Sequence, residues 1–418
     1  MARSSLSDSV QLGDRWTLHI DNQFPLNVAL TIQGHNLPHP GGRLQLDRLC
    51  VSCQSRQLWK VGFSFTVSVK SLEAQAARKA CDMCCLLWKA CSKAGGTNFQ
   101  TSTFTRVGSG LTLNSGNVHV LSICQEPSEY SATTAKRSHL SPPPTFCDVV
   151  NIKLTISVVH RAVDYFSDIQ IGYPCLQKAG SDVHFKIMNQ WLDLCDSTHY
   201  HMGDAASTKP DLPTRLIDVG HPDNESVRLR ETQAGDYIRY IALSHPWGDL
   251  PHFCTYRSNL KAHMESIKVS DLPATFRDAV VSTRALGLQY LWIDPICIIQ
   301  GPDGDFISEA KRMEQVFSSA YCALAASCTI GQSDGFLKPR RPRDYVQLPS
   351  QENNRPPLYL CDQIDDFNSH VLQEPPSTRG WVLQEHALAR RTIFFTEHQT
   401  YFECGKGVHC ETMIRMSK

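Results

Sequence analysis

The sequence lacks any imbalance of charge: Lys+Arg and Asp+Glu each count 41 in 418 residues. No basic excess points to nucleic acid or to an anionic membrane surface. There is no run of about 18 apolar residues, so no membrane span is expected. The opening MARSSLSDSVQLGDRW has no apolar stretch of the kind a secretory signal carries. P-loop, GxGxxG, GxSxG and HExxH patterns are all absent, which argues against ATPases, classical dehydrogenases, α/β-hydrolases and zincin proteases.

Cysteine, by contrast, is plentiful, with 17 copies. Without a secretory leader the expectation is a cytoplasmic protein with reduced, mostly buried thiols. Cys50, Cys53, Cys81 and Cys84 form CxxC…CxxC, the pattern of a tetrathiolate zinc site. The gap of about 27 residues exceeds the usual spacing. The second pair also reads as one face of a helix, so zinc is not the expectation here. His199 and His201 beside Cys195, and Cys404 with His409 and Cys410, are weaker metal patterns still.

Residues 1–130 read as a Cys-rich α+β region. VGFSFTVSVK, from Val61, alternates with period two and predicts a strand. SLEAQAARKACDMCCLLWKAC, from Ser71, predicts one helix. LTLNSGNVHVLSI, from Leu111, predicts a hairpin turning at Asn114-Ser115-Gly116. Residues 131–148, with three consecutive prolines, read as a linker. Residues 149–236 read as a leader that packs on the core. It includes a strand over Val149–Val159, an amphipathic helix carrying Ile187, Trp191 and Leu194, and a short strand within Asp211–Gly220.

From residue 237 to 418 the pattern becomes regular. Strand Tyr237–Ser244 is followed by a helix that Asp271 should cap and Gly287 should close. Strand Gln289–Ile293 comes next. A core-facing helix is then expected from Phe306, Ala310, Met313, Phe317 and Ala320, and a third strand over Tyr321–Ser327. This order predicts an α/β fold around a parallel sheet. Ligand sites in such sheets lie beyond the carboxyl ends of the strands, where Ser244, Asp294 and Ser327 fall. RTIFFTEHQTYFEC, from Arg391, predicts a C-terminal antiparallel hairpin.

Asp294, in YLWIDPICIIQ, must have a partner if buried, because an unpaired buried charge costs several kcal/mol, roughly. Arg379, Arg390 and Arg391 are the candidates. Cys297 is a nucleophile only if a histidine such as His245 activates it, and otherwise a small buried hydrophobe. Glu309 and Glu385 each begin a helix. Either simply suits the helix dipole or stabilises an oxocarbenium ion in glycosidic cleavage. Trp247, Trp292 and Trp381 suit the core, and Trp247, in a loop beside Gly248, could stack on a ligand.

The blocks YIALSHPWG, LPATFRDAV, YLWIDPICIIQ, DFISEAKRMEQVF and RGWVLQE resemble, in this order, the fungal heterokaryon incompatibility (HET) domain, over about Tyr240 to Cys404. CDMC, the Trp191–His199 segment and LPTRLIDV resemble the leader of long fungal HET proteins. That leader often has Cys where Met202 stands. The first block usually ends SYxWG, against SHPWG here; a small residue usually replaces Pro295, and Trp often replaces Phe306. The resemblance implies fungal non-self recognition with programmed cell death, and a TIR-like, flavodoxin-like parallel sheet. Some TIR domains cleave NAD with a glutamate, which by analogy makes Glu309 the catalytic candidate, with Ser244, Trp247, Asp294, Arg379 and Glu385 around it. NAD would then be a substrate, and no further cofactor is implied. Protein partners or self-association are expected. The alternatives are a non-enzymatic interaction module or a degenerate or C-terminally truncated member.

Overall fold

The computed structural model describes residues 48–60, 62–107, 110–114, 119–125, 178–199, 212–348, 358–373 and 387–417, with short pieces at 9–12, 16–19 and 170–171 and the single residues Leu176 and Glu385. The chain divides into two compact units. One combines residues 1–176, 342–364 and 412–418; the other combines 177–341 and 365–411. The expected linker at 131–148 and strand Val149–Val159 lie outside the described residues, as do Arg379, Trp381, His201 and Met202. Among the described residues, no helix is long and apolar enough to cross a membrane.

In the first unit, strands Ser64–Ser68, Thr101–Val107, Gly110–Leu113 and His119–Gln125 pair antiparallel in succession. Leu358–Asp362 and then Tyr345–Gln347 extend the sheet. The strand expected from Val61 and the hairpin expected from Leu111 are both present. The single helix expected after Ser71 is instead two, Val69–Ala77 and Asp82–Lys93. The break follows from Lys79, whose φ of 49° ends the first helix, and from Cys81, whose sulfur caps the second. Phe104, Leu111, Leu121 and Ile123 from the sheet and Met83, Leu86 and Leu87 from the second helix share one core. Each such side chain contributes about 1.5–3 kcal/mol when fully buried. Lys93 anchors the helix to the sheet by an ion pair with Asp362 at 3.0 Å.

In the second unit the elements are α1 (Asp182–Thr198), β1 (Arg215–Asp218), β2 (Ser226–Glu231), β3 (Tyr240–Ser244), α2 (Ala274–Ala285), β4 (Tyr290–Trp292), α3 (Asp294–Cys297), α4 (Phe306–Ala310), α5 (Met313–Ser319), β5 (Cys322–Ala325), β6 (Arg391–Phe395), β7 (Thr400–Cys404) and β8 (Gly407–Cys410). Within the sheet these strands follow the order β8-β7-β6-β5-β3-β4-β1-β2, and the short strand Ile267–Lys268 pairs antiparallel with β2. Strands β6, β5, β3 and β4 are mutually parallel. Every residue of β3, β5 and β6 is buried, as a parallel strand covered on both faces requires. The sheet as a whole is mixed rather than parallel, because β1 and β2 on one side and β7 and β8 on the other run antiparallel. β6 and β7 are the hairpin expected from Arg391, and β6 also joins the parallel set, a pairing that local pattern does not announce.

Two helix expectations need correction. Asp271 ends a 3₁₀ turn, and Pro273 occupies the cap position of α2. Phe276, Ala279 and Val280 do face the core, and Gly287, with φ +73°, closes the helix. The helix expected over 306–320 is broken into α4 and α5. Arg312 sits at the break and donates to Thr214 Oγ1 (2.8 Å) and to the Leu212 carbonyl (2.7 Å). Phe317 is buried, but Phe306 is 52 % exposed and is not core.

Candidate functional site

β3 and β4 place the central residues of the site. Ala242 pairs with Trp292, so Ser244 and Asp294 fall level with each other two residues further on, at the carboxyl edge of the parallel strands. Asp294 opens α3, with Pro295 in its first turn. The residues from Asp294 onward form a helical turn followed by the short strand Ile299–Gln300.

Asp294 has no arginine partner among the described residues. Arg391 is engaged by Asp196 at 2.5 Å. Instead, Trp247 Nε1–H donates to Asp294 Oδ2 at 2.5 Å. Asp294 Oδ1 lies 3.7 Å from His245 Nδ1 and has no hydrogen-bond partner. His245 is buried against the edge of Phe276 (5.1 Å between ring centres), and its Nε2 is likewise unpartnered. Both groups are thus held by SHPWG, the loop that leaves β3. Its Gly248 is needed: φ is +75°, and a Cβ there would come within 2.6 Å of Gly331 Cα. The two backbones touch, which leaves Trp247 beside Asp294.

A second carboxyl arrives from far along the chain. Ser244 donates its hydroxyl hydrogen to Glu385 Oε2 at 2.5 Å, across 141 residues. Burial pushes Glu385 up to about 7, against a smaller downward pull from Ser244. Asp294 is pushed well above the carboxylate range, first by burial and then by the negative charge of Glu385. His245 is pushed down to about 3 by burial and is neutral. Burial therefore favours the neutral form of Asp294, while Glu385 is poised to exchange a proton near neutral pH. Two acids with separated proton affinities are the usual basis of an acid/base division of labour.

Of the residues the sequence singles out, Ser244, Trp247, Asp294 and Glu385 come together. Glu309 does not share their partners: its carboxylate accepts from Thr214 at 2.6 Å and faces Arg312 at 3.8 Å. Arg379 lies outside the described residues. Cys297 is buried, accepts from the Ile293 N–H, and is pushed up to about 12 by burial, so it is not a thiolate nucleophile. His245, read only as a possible helper of Cys297, stands beside Asp294; its place directly after Ser244 in the strand-end block was the available signal.

Two thiol groupings also occur among the described residues. Cys50, Cys53, Cys81 and Cys84 meet in the first unit, and Cys195, His199 and Cys404 meet in the second. In the latter, Cys404 Sγ lies 3.3 Å from His199 Nδ1.

Residues 240–385 match the family described as heterokaryon incompatibility protein (HET). No curated protein and no solved structure matches the chain. The matched span begins at β3 and ends at Glu385, so it encloses the whole Ser244–Asp294–Glu385 group.

Proposed function

Residues 240–385 form a domain of the heterokaryon incompatibility family, and from that premise we propose that it is a cell-death effector of fungal non-self recognition, acting by hydrolysis of an NAD-like nucleotide. The supporting observation is the convergence of Ser244, Trp247, Asp294 and Glu385 at one strand edge, where Ser244 donates to Glu385 and Trp247 to Asp294. The parallel β6-β5-β3-β4 set suits the TIR-like likeness that suggests this chemistry.

In the proposed step, water adds to the anomeric carbon of the ribose as the C–N bond to nicotinamide breaks. Nicotinamide leaves with the bonding electron pair, which cancels its ring charge. Ionised Glu385 takes the proton of the attacking water and offsets the positive charge on the sugar. Protonated Asp294, held by Trp247, orients a ribose hydroxyl. Glu309, engaged by Thr214 and Arg312, positions α4 rather than the substrate.

The test is nicotinamide release from NAD by the full chain. Glu385→Gln is expected to slow release by about 10²–10⁴-fold, and Glu309→Ala to retain most of it. No release from the wild type, assembled or not, would sink the enzymatic reading; an undiminished rate in Glu385→Gln would clear Glu385. One observation favours a non-enzymatic role instead. Leu250 and Ile330, each 81 % exposed, sit on the two loops that meet at Gly248 and Gly331, an apolar pair suited to docking. Toxicity that survives loss of both Asp294 and Glu385 would select that role.

A further inference from the structure

We infer that the first unit holds a structural zinc ion in a site made by Cys50, Cys53, Cys81 and Cys84. All four sulfurs lie within 4.8 Å of one another. Cys84 Sγ is 3.6 Å from Cys53 Sγ and 3.9 Å from Cys50 Sγ. A tetrahedron with zinc–sulfur bonds of about 2.3 Å has sulfur–sulfur edges of about 3.8 Å. The same separations are far too long for a disulfide, which needs about 2.05 Å.

The local backbone is built for thiolates. Cys50 precedes the helical turn Val51–Gln54, and Cys53 folds back so that its N–H donates to the Cys50 carbonyl. Cys81 caps helix Asp82–Lys93, whose N-terminal dipole favours negative charge. Two backbone N–H groups, from Cys50 and Cys84, point at Cys81 Sγ at 3.4 Å each. Such N–H···S contacts fix ligand orientation around a metal.

An independent sign is the charge beside the cluster. Four thiolates around a divalent ion leave two net negative charges. Arg56 is buried two residues from the first pair's turn, and its positive charge acts on both Cys53 and Cys84. Its guanidinium lies over the Phe65 ring at 3.7 Å, and its Nε and Nη1 have no hydrogen-bond partner. Two buried guanidinium nitrogens without an acceptor are costly, and an anionic metal centre beside them offsets part of that cost. The long gap between the CxxC pairs does not oppose the site, because helix Val69–Ala77 and strand Ser64–Ser68 fill it and bring the ends together.

The site tests on metal content of the full chain, purified without chelator. Mass spectrometry of the metal is expected to find zinc that is lost at least tenfold in Cys84→Ser and retained in Cys404→Ser. Iron in place of zinc, or zinc unchanged in Cys84→Ser, would overturn the assignment. So would a Cys53–Cys84 disulfide in freshly purified protein. Should Cys84→Ser not fold, Cys53→His keeps the test alive: three thiolates and one imidazole still bind zinc, so retained metal is expected there. Cobalt in exchange for zinc should give the sulfur-to-metal charge-transfer band of a thiolate site; a spectrum without it would sink the proposal. None of these outcomes depends on nucleotide hydrolysis.

Discussion

The four-thiol cluster of the first unit and the carboxyl pair of the second both gather reactive groups from distant parts of the chain, yet they are finished differently. Around Cys81 the backbone N–H groups of Cys50 and Cys84 are already aimed at sulfur, and every ligand is of one kind. Around Asp294 an oxygen and the neighbouring His245 nitrogen are left without hydrogen-bond partners, and the groups differ in kind and in proton affinity. Closure suits a group whose work is to hold the fold. Unfinished polar capacity in a buried place is costly, and it persists at sites where the missing partner arrives with a ligand.

Metal removal gives the largest expected contrast. Structural zinc contributes folding free energy of about 10–16 kcal/mol in small zinc domains. Chelation of the full chain should therefore expose the amides of helix Asp82–Lys93 to hydrogen exchange while β3 and β5 stay protected. Equal loss of protection in both units would break the contrast, since the thiol cluster would not then be a local staple.

How much of this was legible beforehand depended on how far apart the partners lie. β3, α2, β4 and β5 follow from short apolar runs and from Gly287, all local signals. The hairpin β6–β7 does too. The parallel pairing of β6 with β5 does not, because it joins Ala323 to Thr392 across a long stretch of chain. The same holds for the site. Ser244, Trp247 and Asp294 were placed by their strand ends. That Ser244 would bond Glu385, or that Trp247 rather than an arginine would hold Asp294, is tertiary information. Helix periodicity misled at Phe306, because the partner that breaks the helix, Thr214, belongs to the chain ahead of β1. The CxxC pairs carry a zinc pattern that sequence alone leaves undecided, for a related reason: a helix face and a metal corner look alike until the other pair is brought beside them.

The next contrast is in pH dependence. The folded state raises Glu385 from 4.5 to about 7. Its contribution to stability is complete below pH 4.5 and is lost as pH rises towards 7, by at most about 3 kcal/mol. Glu385→Gln should remove that decline in a denaturant series run across this range. His245, lowered from 6.5 to about 3, works in the other direction. Its contribution is present above pH 6.5 and is lost as pH falls towards 3, so the acid-side decline should remain in the Gln variant. Because His245 acts in the opposite sense over part of this range, the reading is the difference between the two proteins: wild-type and Glu385→Gln curves of equal slope between pH 4.5 and 7 would mean that Glu385 keeps an ordinary proton affinity.

Asp294→Asn asks whether the unfinished carboxyl serves the fold or the chemistry. Asn can still accept from the Trp247 N–H, and it removes a costly buried acid, so stability should change by no more than about 1 kcal/mol. Nicotinamide release should fall at least tenfold. A variant that unfolds but keeps its activity per folded molecule would make Asp294 structural, and would bring it closer in role to the thiol cluster.

The smallest effect is the most diagnostic. Ser244 donates to Glu385 and pulls its proton affinity down against burial. If ionised Glu385 is the base, activity should rise with pH through about 7 in the wild type. Ser244→Ala removes the downward pull, so the rising limb should move to higher pH by less than about one unit, with the plateau rate little changed. A purely structural serine would lower the plateau or the melting point and leave the limb where it was. Movement of the limb to lower pH would contradict the hydrogen bond's sign and with it the role of Glu385 as the proton acceptor.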